Sequence, residues 1–143
     1  MASTKQDMDA ALKATVVPVL RAAGFKGSYP HFHRDLAGHV DLLTFQFGSA
    51  GGRFVVEIAF ATASRDSLHP SRRDVPAAKL RVFHTGQRLR LGGVGLQDKW
   101  FIYAQPMTNF GEAAEAPDDI AHTIAALIPT EAETWWSRWR VGG

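Results

Sequence analysis

Between Val40 and Thr62, two runs of alternating residues flank the turn-forming tetrapeptide Ser49-Ala50-Gly51-Gly52. A hairpin closed by that turn pairs Phe47 with Phe54, Phe45 with Val56 and Leu43 with Ile58 on one face. The other face then pairs Gln46 with Val55, Thr44 with Glu57 and Leu42 with Ala59, because side chains alternate along a strand and cross-strand partners share a side. A slip of one residue would scramble both faces, so the pattern fixes the register. One face is uniformly apolar and needs a cover; the other, mixed and rich in small residues, is expected to face water.

The cover comes from the chain ends. Ser3 with Gln6 has the spacing of a capping box, and Met8, Leu12, Val16, Val19, Leu20 and Ala23 recur at helical spacing up to Gly24. Glycine there suits a left-handed helix end, with Phe25 folding back on the last turn. Pro18 is expected to kink this helix or to start its second half. Near the other end, Pro117-Asp118-Asp119 opens a helix whose stripe is Ile120, Ile124, Leu127 and Ile128. Pro129 is expected to end it, and Thr130 with Glu133 to cap a second, short helix carrying Trp135, Trp136 and Trp139.

Residues 29–36 read as a first strand, turning through Leu36-Ala37-Gly38-His39 into the hairpin to give a three-stranded meander. Ser64 to Pro76 has no periodicity and two prolines, the pattern of a long, exposed, mobile connection. Leu80 to Leu91 reads as a strand whose parity break at Gly86 calls for a bulge. Gly92, Gly93 and Gly95 then turn the chain into a last strand from Lys99 to Gln105. The expected fold is therefore α+β: an antiparallel sheet of about five strands with an N-terminal helix and two C-terminal helices packed on one face. At 143 residues and 45% hydrophobic content, residues 1–143 are expected to form a single domain.

The net charge of +2 conceals an uneven distribution: nine Lys and Arg against four Asp and Glu from Arg53 to Lys99, but two against six from Trp100 to Gly143. The absence of cysteine excludes disulfides, thiolate nucleophiles and cysteine-bound zinc. Met1 to Ala11 lacks the apolar run of a signal peptide, and no stretch of about 18 apolar residues would span a bilayer. The expectation is a cytoplasmic protein without a membrane span.

The order of these features resembles an uncharacterised family, the domain of unknown function 4304. The features that carry it are the helix running into Gly24-Phe25-Lys26, the strand with Phe45-Gln46-Phe47, the strand with Phe54 and Glu57, the basic Arg88-Leu89-Arg90-Leu91-Gly92 and the nearby Trp100. The resemblance covers roughly the first hundred residues. It implies an α+β domain and carries over no catalytic residues.

Four groups of residues carry chemistry. His31 and His33, two apart on a strand, point the same way about 6–7 Å apart and are a candidate metal pair, with His39, His84 or Glu57 as a third ligand; the simpler reading is a pair of surface histidines on an edge strand marked by Pro30. Gln46 and Glu57, with Arg88 and Arg90, are candidate ligand-binding residues in a shallow polar cleft, or else a solvated face holding an exposed ion pair. Arg72 and Arg73 in the long loop are candidate interface residues, and phosphate contacts there would need neighbours such as Phe83 or Trp100 to stack on a base. In the tryptophan helix, Trp135 and Trp139 share a face and are expected in the core, leaving Trp136 as a candidate exposed interface anchor, with packing inside the fold as the favoured alternative.

Nucleophile elbows, phosphate-binding loops, dinucleotide fingerprints and His-Glu-x-x-His are absent from the sequence. No catalytic residue and no cofactor is indicated. The expected function is non-enzymatic binding of a partner protein or a small polar ligand, with homo-oligomerisation compatible with the sequence. The alternatives are a metal-dependent enzyme using His31, His33 and Glu57, and nucleic-acid binding through the basic loop. The small net charge and the interrupting Asp66 and Asp74 argue against the last.

Overall fold

The computed structural model describes residues 3–66, 68–94, 97–104 and 113–142. The first helix, α1, spans Lys5–Ala22 and is followed by strands β1 (Lys26–Ser28), β2 (His31–Leu36), β3 (His39–Phe47) and β4 (Arg53–Ala61). Three short 3-10 turns, Pro70–Arg72, Ala77–Lys79 and Val82–His84, lead to β5 (Arg88–Arg90) and β6 (Phe101–Ile102). Helix α2 (Pro117–Leu127) and helix α3 (Glu133–Gly142) close the chain. The sheet is antiparallel in the order β1-β2-β3-β4-β5, with β6 also pairing β4 beyond the end of β5.

The β3–β4 register is the one the alternation predicts: Phe47 faces Phe54, Phe45 faces Val56, Leu43 faces Ile58 and Thr44 faces Glu57. The β2–β3 connection is the two-residue turn Ala37-Gly38, both at positive φ (54° and 94°), a geometry matched to the right-handed twist of paired strands. One correction falls on β2. Its first half, with His31 and His33, is not an edge, because β1 pairs along its far side there, with Pro30 lying in the intervening turn.

The apolar face is covered as expected. Met8, Leu12, Val16 and Leu20 of α1, Ile120 and Ile124 of α2, and Trp136 of α3 form one core with Leu43, Phe45, Phe54, Val56 and Ile58. Helix α1 is capped one residue later than the sequence suggested: Asp7 N donates to Thr4 Oγ1 (3.1 Å) and Thr4 N to Asp7 Oδ2 (2.8 Å). It runs unbroken past the exposed Pro18. At its end Gly24 takes φ 96°, while Phe25 N bonds Leu20 O and Gly24 N bonds Arg21 O. These paired bonds close the last turn and bring Phe25 back into the core.

The C-terminal helices depart from expectation. Pro129 does not stop α2; it lies in a wide turn, Ile128–Ala132, that runs directly into α3. Proline lacks an N–H and its ring crowds the carbonyl four residues back, and a turn widened to i→i+5 bonding accommodates both effects. Glu133 N accordingly reaches Ile128 O, and Thr130 Oγ1 bonds back to Ala126 O (2.8 Å) instead of capping a new helix.

The mixed face is also covered, over about half its length. Leu68, Leu80 and Val82 bury Val40, Leu42, Ala59 and Ala61 in a second, smaller core. The segment read as a bulged strand from Leu80 is therefore a 3-10 turn over the sheet, and only Arg88–Arg90 pairs as strand. Of the last strand read from Lys99 to Gln105, Phe101–Ile102 pairs with β4. Gln105, like Gly95 of the preceding turn, lies outside the described residues. Among the described residues no helix is long and apolar enough to cross a membrane.

Candidate functional site

Strand alternation sends His31, His33, Thr44, Gln46, Glu57, Arg88 and Arg90 to the mixed face, beside and beyond the part covered by Leu68, Leu80 and Val82. At its centre Glu57 is 6% exposed. Its Oε1 accepts from Arg90 Nε at 3.0 Å, and Arg88 Nη1 lies 3.9 Å from its Oε2. Arg90 Nη1 also donates to Asp98 Oδ2 at 3.0 Å. The guanidinium groups of Arg53 and Arg90 lie 4.2 Å and 5.4 Å from the centre of the Trp100 ring. Three of the four residues expected to share a cleft, Glu57, Arg88 and Arg90, thus come together as an ion-paired cluster. Gln46 sits one strand pair further along, exposed, opposite Val55.

His31 and His33 stand on this face opposite Thr44 and Leu42. His31 Nδ1 is 3.1 Å from Thr44 Oγ1, and its ring meets the edge of Phe83 at 6.5 Å between centroids. Phe83 packs in turn on His84 (4.5 Å), whose Nδ1 accepts from Arg81 N (3.1 Å). Burial pushes the pKa of all three imidazoles down, and the neighbouring Arg81 adds to the effect, as does Arg72 at His84. Among the described residues no three or more His, Cys, Asp or Glu side chains converge to hold a metal. Phe83 itself is 60% exposed. It crowns a ridge beside the basic loop, where Arg72 and Arg73 are exposed in and after the Pro70–Arg72 turn.

Trp136 is packed inside the fold and is not an exposed anchor. It is fully buried, its Nε1 donates to Ala59 O at 2.9 Å, and its ring packs against Phe25 at 5.0 Å. Trp135 and Trp139 share a face as expected, but both are only partly buried, flanking Phe60 at 5.7 Å and 5.1 Å.

A buried charge cluster behind the sheet escaped the reading of motifs. Asp41 is fully buried on the apolar face; its Oδ2 accepts from Arg34 Nε (3.0 Å), Arg34 Nη2 (2.7 Å) and Arg140 Nη1. Arg34 Nη2 also reaches Glu133 Oε1 at 2.7 Å, tying α3 to the sheet. His39 Nε2 lies 3.4 Å from Asp41 Oδ1. The signal was parity: Asp41 continues the odd-numbered apolar series of β3, where a charge demands a partner, and the Ala37-Gly38 turn sets Arg34 directly across from it.

The described residues line two grooves away from this face. One, of about 500 Å³, lies between the starts of α1 and α2, beside Asp7 and Pro117. The other, of about 600 Å³, is lined by Leu89, Thr130, Glu131, Thr134, Trp135 and Arg138.

No curated protein and no solved structure matches the chain. The family model described as "Domain of unknown function (DUF4304)" matches residues 16–138, reaching beyond the first hundred residues into the tryptophan helix. Most of the fold just described lies within that match, and the chain belongs to the DUF4304 family.

Proposed function

We propose that this single α+β domain is a non-enzymatic binding module that recognises an acidic partner protein through the ridge of Phe83 and the arginines around it. The observation that carries the reading is the exposure of Phe83, 60%, in a fold that buries six other phenylalanines. An aromatic ring left in water beside charged groups is the composition of an interface anchor. Arg72, Arg73, Arg81, Arg88 and Arg90 supply the positive field that would draw an acidic surface, with Gln46 at the margin. Glu57 positions Arg90.

A protein suits this ridge better than a nucleic acid. Arg73 donates to Leu68 O and Asp66 O, Arg81 to Ala78 O and Leu80 O, Arg88 to Thr85 O and Phe83 O, and Arg90 to Glu57 and Asp98. Guanidinium groups committed to the chain's own oxygens present fewer donors to a phosphate backbone, and the interspersed carboxylates repel one.

The test places the photo-crosslinking residue p-benzoylphenylalanine at position 83 of the full chain in cells. A nuclease-resistant adduct to a second protein that disappears when Arg72 and Arg73 are both replaced by Glu supports the reading. A nuclease-sensitive adduct assigns the ridge to nucleic acid, and no adduct at all removes it as an interface.

A further inference from the structure

The three outer edges of the sheet are finished differently. On β1, Gly27 O accepts from Arg21 Nη2 at 2.6 Å, and beside β6, Ile102 O accepts from Glu115 N at 2.8 Å. Strand β5 is the end of its row, and its register decides which of its peptide groups face outward. Leu91 N bonds Val56 O, and Leu89 faces Ile58, so the peptide groups of Leu89 and Leu91 turn toward β4. Those of Arg88 and Arg90 therefore turn away from it, because bonding direction alternates along an antiparallel strand. The next outward N–H, that of Gly92, is taken by the Glu131 carboxylate, both oxygens at 3.2 Å.

Beside this edge runs the groove of about 600 Å³ under the wide turn and α3, with Leu89 and Trp135 as its apolar lining, Thr130 and Thr134 along it, and Arg138. A strand laid beside β5 would hydrogen-bond to Arg88 and Arg90 and drop alternate side chains into the groove. The charges choose its composition. Arg138 belongs to the groove, while the side chains of Arg88 and Arg90 lie on the other face of the same short strand. Glu131 in the groove and Glu57 and Asp98 beside Arg88 and Arg90 offset three of these charges, and Arg53, stacked with Arg90 on Trp100, leaves the site with a positive excess.

We propose that the outer edge of β5, together with the groove beneath α3, is a docking site for an extended acidic segment of a partner protein, which adds to the sheet as a further strand. The site shares Arg88 and Arg90 with the Phe83 ridge but uses their outward peptide groups and the groove on the other face, and needs neither Phe83 nor the 64–76 loop. Glu131 sets its end by occupying the Gly92 donor, so the added strand pairs only along Arg88–Arg90 and its affinity is that of a short-motif interaction.

The probe is the peptide acetyl-Glu-Val-Glu-Val-Glu-amide, titrated into the ¹⁵N-labelled full chain. Saturable shifts are expected at the amides of Arg88, Leu89 and Arg90 and at the Trp135 indole, with binding weakened at least tenfold by Arg138→Glu. A copy of the peptide N-methylated at every residue keeps its charges but loses its backbone donors, and is expected not to bind; the all-Lys counterpart is expected not to bind either. Equal binding by either control, shifts centred on Phe83 and Arg81, or no shifts at millimolar peptide would overturn the proposal. So would shifts at the same amides that grow with protein concentration alone, which would show that a second copy of the chain pairs with this edge.

Discussion

Asp41 shows what a single charged residue costs and contributes inside an apolar layer. Removing a carboxylate from water is expensive, and the two guanidinium groups on its Oδ2 offset that cost only while both are in place. Arg34→Met should therefore destabilise the protein by about 3–5 kcal/mol, read as a lowered urea midpoint, because it leaves Asp41 buried with one fewer partner. Replacing both members, Arg34→Met with Asp41→Leu, should recover much of that loss, since the uncompensated charge goes with its partner. A double variant as unstable as the sum of the singles would show that the pair acts independently and that the cluster does not depend on charge compensation.

Among the elements, the 64–76 connection separates two physical pictures. A mobile loop would tolerate loss of an apolar side chain, whereas a folded cover would not. Leu68 is buried in one cluster with Val40, Leu42, Ala59 and Ala61, so Leu68→Ala should cost about 2–4 kcal/mol in equilibrium unfolding. It should also raise amide exchange along β3 and β4; a change within about 0.5 kcal/mol would restore the mobile-loop picture. The contrast also shows which parts of the fold were legible in the sequence. The β3–β4 register could be read to the residue because an alternation of period two admits one pairing. The 3-10 turns could not, since three-residue turns are too short to show a period. Trp136 was misplaced for a different reason. The buried line on the last helix is Ile128, Ala132 and Trp136, continuing to Arg140 on Asp41, and it crosses the wide turn. A reading that ends one helix at Pro129 and starts another at Thr130 breaks that line, leaving Trp135 and Trp139 as the evident pair. The candidate cleft was half legible: parity placed Glu57, Arg88 and Arg90 together, but alternation cannot say that the arginine side chains fold over the carboxylate instead of opening a cavity beside it.

At the scale of the whole molecule, charge is used locally. Among the described residues no ion pair joins an acid of the 100–143 segment to a base of the 53–99 segment; Glu133 turns to Arg34, and Arg140 to Asp41. What the fold imposes across its length is a shared direction on four of its histidines. His31, His33, His39 and His84 all have their pKa pushed below the ordinary value by burial, at His39 against the opposing pull of Asp41 and with help from Arg140 and Arg65. Each imidazole is therefore harder to protonate folded than unfolded, so the unfolded chain binds more protons as pH falls through the ordinary histidine value near 6.5. The stability these groups contribute is fully present above that pH and is lost as pH drops from about 7 toward 5, a window in which ordinary carboxylates stay largely ionised. Urea midpoints should accordingly fall steadily across that range, and His33→Gln combined with His39→Gln should flatten the slope whatever it does to stability at pH 7.5. A midpoint that is constant or rises on acidification would mean that the charged imidazoles find acceptors in the folded state, with Asp41 beside His39 the first to examine.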